Sequence, residues 1–107
     1  MKKVLYVDCC IRGEESRTKK IADAFFANLS DQYEVQHLDL KNENLKPLVN
    51  DFFDEREKLI AEHSLTHPRF RYAHELADVD MVVIAAPFYD LSFPSLLKIY
   101  IENCTVD

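Results

Sequence analysis

The segment from Cys9 to Lys20, CCIRGEESRTKK, gathers the side chains of this protein best suited to chemistry. The hydroxyls of Ser16 and Thr18, the guanidinium of Arg12 and the free N–H groups of a helix starting here can converge on one anion, since a helix begins with unpaired donors and a positive dipole end. A terminal phosphate fits that donor set. Arg17, between the two hydroxyls, places a second guanidinium in the same loop. Ser16 read alone serves equally well as an ordinary N-cap.

The cysteines invite a different chemistry. A strand running into a cysteine and then into Ser-Arg-Thr is similar to the loop of low-molecular-weight tyrosine phosphatases, where an arginine follows the thiolate after five residues. The spacing here fails: six residues separate Cys10 from Arg17, seven separate Cys9 from it, and Arg12 is too near. Glu14 and Glu15 also oppose the lowered thiol pKa that such a nucleophile needs. Cys9 and Cys10 lack Cys-x-x-Cys spacing and read as buried thiols beside a core strand. His63 and His67 stand four apart, but Pro68 and the intervening Ser-Leu-Thr argue against one helix presenting both, and no further residue completes a metal set. No metal site, general acid or general base is expected.

The elements that position these residues follow from periodicity. Val4 to Val7 is a short apolar run of the kind buried on both faces of a parallel sheet. Ile21, Phe25 and Leu29 recur at four-residue spacing with Ala22 and Phe26 beside them, which predicts a helix over about 18–29 with that stripe inward. Glu34 to Leu40 reads as a second strand nearer an edge. A helix is expected from Asn50 as N-cap, burying Phe52, Phe53, Leu59 and Ile60, and a short one over 69–78. "DMVVIAA" is the most apolar strand, and Pro94 suits the first turn of a closing helix. Alternating strands and helices imply a parallel sheet with helices on both faces, and right-handed crossovers with a reversal of direction across the sheet after the second strand give the order 2-1-3. That order sets the loop after the first strand beside Pro87-Phe-Tyr-Asp-Leu-Ser-Phe93 after the third, at the switch point where such sheets bind ligands. Phe93 and Tyr100 read as core aromatics, whereas Phe88 and Tyr89 stand at the open end.

The stretch from Phe70 to Glu102 closely resembles the flavodoxin-like-fold NAD(P)H:quinone oxidoreductases and FMN-dependent NADH-azoreductases. Pro87, Phe88, Tyr89, Pro94, Leu97 and Lys98 carry the likeness, reinforced upstream by Tyr72, Ala73, Ala77 and Asp80. The first loop agrees through Ser16 and Thr18, with Cys10 where a serine is usual; 41–67 matches only loosely. The resemblance implies a three-layer flavodoxin-like sandwich with FMN as cofactor. Cys10, Arg12, Ser16, Arg17 and Thr18 would surround its phosphate, and Pro87, Phe88, Tyr89, Asp90 and Leu91 its ring. Asp90, if it faces the flavin, would oppose negative charge on the reduced ring. It further implies NAD(P)H as hydride donor, a small aromatic acceptor of the quinone, azo or nitro class, and a homo-oligomer. Members of that family continue through two more strands, so residues 1–107 are expected to form one partial domain truncated before them. A shortened, non-catalytic oligomerising relative is the competing expectation.

Bulk properties narrow the field. A chain of 107 residues, 48% hydrophobic and 30% charged, can bury one modest core. Nineteen acidic against thirteen basic residues give a formal charge of −6, which offers no basic footprint for nucleic acid. The apolar start stops at Asp8, too early for a signal-peptide core, and no uncharged stretch is long enough to cross a bilayer. Three cysteines do not make a disulfide framework, so a cytoplasmic protein with no membrane partner is expected.

Overall fold

A computed structural model describes residues 2–29, 31–88 and 93–104. Strand β1 (Lys2–Asp8) lies between β2 (Tyr33–Asp39) and β3 (Met81–Ala85), all parallel, in the order 2-1-3 expected from the crossovers. In register, Val4 sits between Val35 and Met81, and Asp8 between Asp39 and Ala85. Helix α1 (Arg17–Ala27) covers one face, while α3 (Arg71–Ala77) and α4 (Ser95–Cys104) pack on the other.

Both faces of β1 are therefore covered, which is why its sequence is apolar without alternation. Leu5, Val7 and Cys9 join Leu38, Leu40, Leu97 and Tyr100 under α3 and α4. Tyr6 and Cys10 join Ala22, Ala85 and Phe26 under α1. Each fully buried Leu or Val contributes roughly 1.5–3 kcal/mol, so the central strand is the main source of cohesion.

Helix α1 is rotated relative to the expected stripe. Ile21 is 73% exposed and Phe25 46%, while Ala22 is buried. Tyr6 sets the rotation: its ring lies 4.5 Å from that of Phe26, and the small Ala22 lets the helix approach so large a strand residue. The helix starts where expected, with the Lys19 N–H donating to Ser16 Oγ at 3.2 Å.

Helix α2 (Asn50–Ala61) departs in two ways. Asn50 is not the N-cap but the first helical residue, at a left-handed φ of 53°, a conformation asparagine tolerates better than most. Val49 takes the capping position with no side-chain bond. Arg56 is buried while Phe53 is exposed, so the buried face is not the purely apolar one expected. The short turn Pro68–Phe70 then leads into α3 and buries Phe70 in full.

Helix α4 follows Pro94 directly and packs through Leu97, Tyr100 and Asn103. The Tyr100 ring meets Tyr72 of α3 edge-on at 5.7 Å, and Asn103 Nδ2 donates to the carbonyls of Lys46 and Ile99. Tyr100 is a core aromatic as expected. Phe93 is not, being 59% exposed just before the helix begins. Among the described residues β3 pairs only with β1, and Val82 and Ile84 remain exposed on the face shared with Leu5 and Val7.

Candidate functional site

Beyond the strands, the Cys9 N–H donates to the Ala85 carbonyl at 2.9 Å. This bond carries the β1–β3 pairing one residue further, so the chain segments leaving the two carboxyl ends start side by side. The loop after β1 then tightens: the Gly13 N–H donates to the Cys10 carbonyl at 2.9 Å, and the Ser16 N–H to the Gly13 carbonyl at 2.9 Å. Gly13, the chain's one glycine, has a φ of 61°, where any Cβ is strained.

The result is a cleft of about 190 Å³ with Arg12, Ser16, Arg17 and Thr18 on one wall and Pro87 and Phe88 on the other. The two segments expected to face each other do so. Ser16 is buried, and its hydroxyl, while accepting from Lys19, keeps a proton to donate; capping and anion binding are therefore compatible. The N–H groups of Arg17 and Thr18, in the first turn of α1, have no carbonyl of their own helix to meet. Arg12 is steadied by Glu15 at 3.5 Å. Phe88 is 67% exposed, a flat apolar surface at the rim.

Cys10 does not line this cleft. Its thiol donates to the Ala85 carbonyl at 3.7 Å inside the α1 face of the core. Burial pushes that thiol up, against a pull from the Ser16 hydroxyl and with a further push from Asp8, while burial drives Cys9 to about 12. Both shifts run opposite to what a phosphatase nucleophile needs. His67 Nδ1 accepts from the Arg69 N–H at 3.1 Å, and His63, at a φ of 57°, lies beyond α2, so the two histidines do not share a helix face. Tyr89, Asp90 and Leu91 lie outside the described residues.

One feature beneath the loop escaped the sequence reading. The Asp8 carboxylate is wholly buried; Oδ1 accepts from the Cys10 N–H at 2.9 Å and Oδ2 lies 2.9 Å from His37 Nε2. His37 in turn stacks on Tyr6, centroids 4.5 Å apart. Burial alone raises the Asp8 pKa, but the Cys10 N–H and His37 outweigh it and hold the carboxyl below its ordinary value. The clue was available: an aspartate closing an apolar strand needs a partner, and parallel register places His37 opposite Tyr6, two residues short of the position facing Asp8.

The donors suit a phosphate, and the rim suits a planar ring. At about 190 Å³ the cleft is below the 300–1,000 Å³ usual for whole ligand sites, so it matches the phosphate end of a nucleotide and not all of one. A wider depression, about 490 Å³, lies elsewhere, beside Gln36, Glu75 and Asp78, away from the carboxyl ends of β1 and β3.

An FMN-dependent NADH:quinone oxidoreductase of Clostridium perfringens is 39% identical over 110 residues, a match covering 99% of this chain and 56% of the relative. One of Coprothermobacter proteolyticus, with the same description, is 34% identical, covering 99% of this chain and 55% of its own. The crystal structure of an azoreductase from Bacillus anthracis superposes with a TM-score of 0.84 at 26% identity, over 98% of this chain and 56% of that one. The chain thus spans little more than half the length of the relatives it matches. The Flavodoxin_2 family, described by its flavodoxin-like fold, matches residues 2–106, and with the sheet order and the placement of the two loops this makes the chain a member of that family.

Proposed function

We propose that this chain provides the phosphate-binding and ring-facing segments of an FMN site in an NAD(P)H:acceptor oxidoreductase. The observation that carries the reading is the shared cleft: Arg12, Ser16, Arg17 and Thr18 on one side, Pro87 and Phe88 on the other. The relatives described as FMN-dependent NADH:quinone oxidoreductases support it. Bound there, FMN supplies the chemistry, passing a hydride from NADH or NADPH to a quinone, azo or nitro acceptor.

The protein's part is binding and orientation. The Ser16 and Thr18 hydroxyls and the N–H groups of the first turn of α1 hold the phosphate, with Arg12 and Arg17 balancing its charge. Pro87 and Phe88 exclude water from one edge of the ring. Tyr89, Asp90 and Leu91 are assigned to the same ring on the family resemblance, and Cys10 supports the loop from below. The enzyme works in the cytoplasm as a homo-oligomer, without nucleic-acid or membrane partners. No proton-transfer residue is assigned.

A flavin titration of the 107-residue chain tests this. FMN is expected to bind with quenched fluorescence and more tightly than riboflavin, which lacks the phosphate. Arg17→Gln and Thr18→Ala should each weaken FMN by about tenfold and leave riboflavin unchanged. Equal affinity for the two flavins sinks the phosphate assignment. The second reading, a non-catalytic oligomerising protein, is favoured by the exposed Val82 and Ile84 beside a one-sided β3. Its signature is an assembly that takes up no flavin.

A further inference from the structure

A line of hydrogen bonds runs from the outer strand β2 to the wall of the phosphate cleft. His37 Nε2 lies 2.9 Å from Asp8 Oδ2, and Asp8 Oδ1 accepts from the Cys10 N–H at 2.9 Å. The Cys10 carbonyl accepts from the Gly13 N–H, and the Gly13 carbonyl from the Ser16 N–H, each at 2.9 Å. Ser16 Oγ closes the line by accepting from the Lys19 N–H at 3.2 Å.

The far end of this line stands half in solvent. The His37 side chain is 46% exposed, whereas that of Asp8 is wholly buried. The Asp8 carboxyl is held below its ordinary value, and an ionised carboxylate only accepts, so His37 Nε2 carries the proton of their bond. The imidazole also stacks on Tyr6, 9° from parallel, a contact that does not depend on that proton. Neighbouring ammonium groups are engaged elsewhere: Lys19 Nζ with Asp23 at 3.0 Å, and Lys41 Nζ with Asp39. A buried carboxylate oxygen that loses its donor is costly. Asp8 relieves that cost by turning toward water or by taking up a proton, and either change loosens its grip on the Cys10 N–H.

We propose that His37 is a positioning residue for the anion-binding loop: by donating to Asp8 it keeps Cys10 and Gly13 in the turns that bring Ser16, Arg17 and Thr18 to the cleft wall. The identity of the anion rests on the flavin reading; the line of bonds does not. His37 lies outside the lining of the cleft, so its influence travels through the loop and not by touching the ligand. Pro87 and Phe88, on the ring side, follow β3 and stand outside the line. The effect therefore falls on the phosphate and spares the ring.

Two substitutions separate the bond from the stack. His37→Phe keeps a ring on Tyr6 and removes the donor, whereas His37→Gln keeps an N–H at the position of Nε2 and removes the ring. Amide hydrogen exchange, followed by NMR on the 107-residue chain, reads the loop without any flavin. Measured against the β1 amides of residues 4–7, exchange at Cys10, Gly13 and Ser16 is expected to quicken about tenfold in His37→Phe and to stay near the parent in His37→Gln. Titration of the same proteins should show FMN weakened about five- to tenfold in His37→Phe, restored in His37→Gln, and riboflavin unchanged in both. Unaltered exchange at the three amides in His37→Phe, equal quickening in the two variants, or FMN and riboflavin weakened alike would overturn the positioning role. A parent that binds FMN no more tightly than riboflavin sinks the flavin reading instead, and the exchange result then decides the role of His37 by itself.

Discussion

Asp8 shows how one residue can hold a loop it does not belong to. Its carboxylate ends β1, fastens the Cys10 N–H with one oxygen and His37 of β2 with the other, and so fixes where the chain leaves the sheet. Asp8→Asn keeps the shape but removes the charge that both partners face; a loss of about 1–3 kcal/mol in urea unfolding is expected. The pH dependence has a definite sign. The folded carboxyl is more acidic than the unfolded one at 3.8, so its stabilisation is complete above the ordinary carboxyl range and is lost as pH falls below 3.8 through the folded value. Unfolding of the parent across that window should show a slope that Asp8→Asn reduces; identical slopes would remove Asp8 from the acid response. At this scale the sequence was informative about hydroxyls and guanidinium groups, whose chemistry is local. For Asp8 it held only the clue that an aspartate ending an apolar strand needs a partner; that the partner is His37 depends on strand register.

At the scale of elements, period alone located α1 but not its rotation. Ile21, Phe25 and Leu29 make the stronger apolar stripe, yet the helix turns Ala22 and Phe26 inward. The deciding factor is the volume of Tyr6, which a helical pattern does not contain. Ile21→Ser should therefore change stability by no more than about 0.5 kcal/mol, whereas Ala22→Leu should cost about 1–3 kcal/mol by overpacking against Tyr6. Thermal unfolding of the two variants decides between the stripes, and the reverse ranking would mean that the expected one faces the core. Helix α2 teaches the same lesson with Arg56, since burying an arginine depends on carboxylates nearby and not on hydropathy. The strands were read more accurately, because apolar β1 and β3 can only be interior or edge and the crossover rule leaves few orders.

At the scale of the molecule, the described structure is a plate, 44 × 37 × 20 Å. Its radius of gyration of 15.3 Å exceeds the roughly 13 Å typical of this chain length. The excess agrees with an open flank along β3, where Val82 and Ile84 are exposed on an apolar edge that carries no charge or proline. Edges of that kind recruit other strands. The 107-residue chain is expected to associate with rising concentration in sedimentation velocity, and Ile84→Lys to shift it toward monomer with little change in fold. Concentration-independent monomer in the parent would show that the flank is harmless. The position of β1 has a separate consequence for how the protein is made. Of the three strands the middle one comes first in chain order, yet its pairing of Val4 with Met81 waits for 77 more residues. Until then its most adhesive segment has only β2 to hold it. Such long-range closure slows folding and leaves an adhesive strand exposed while it waits.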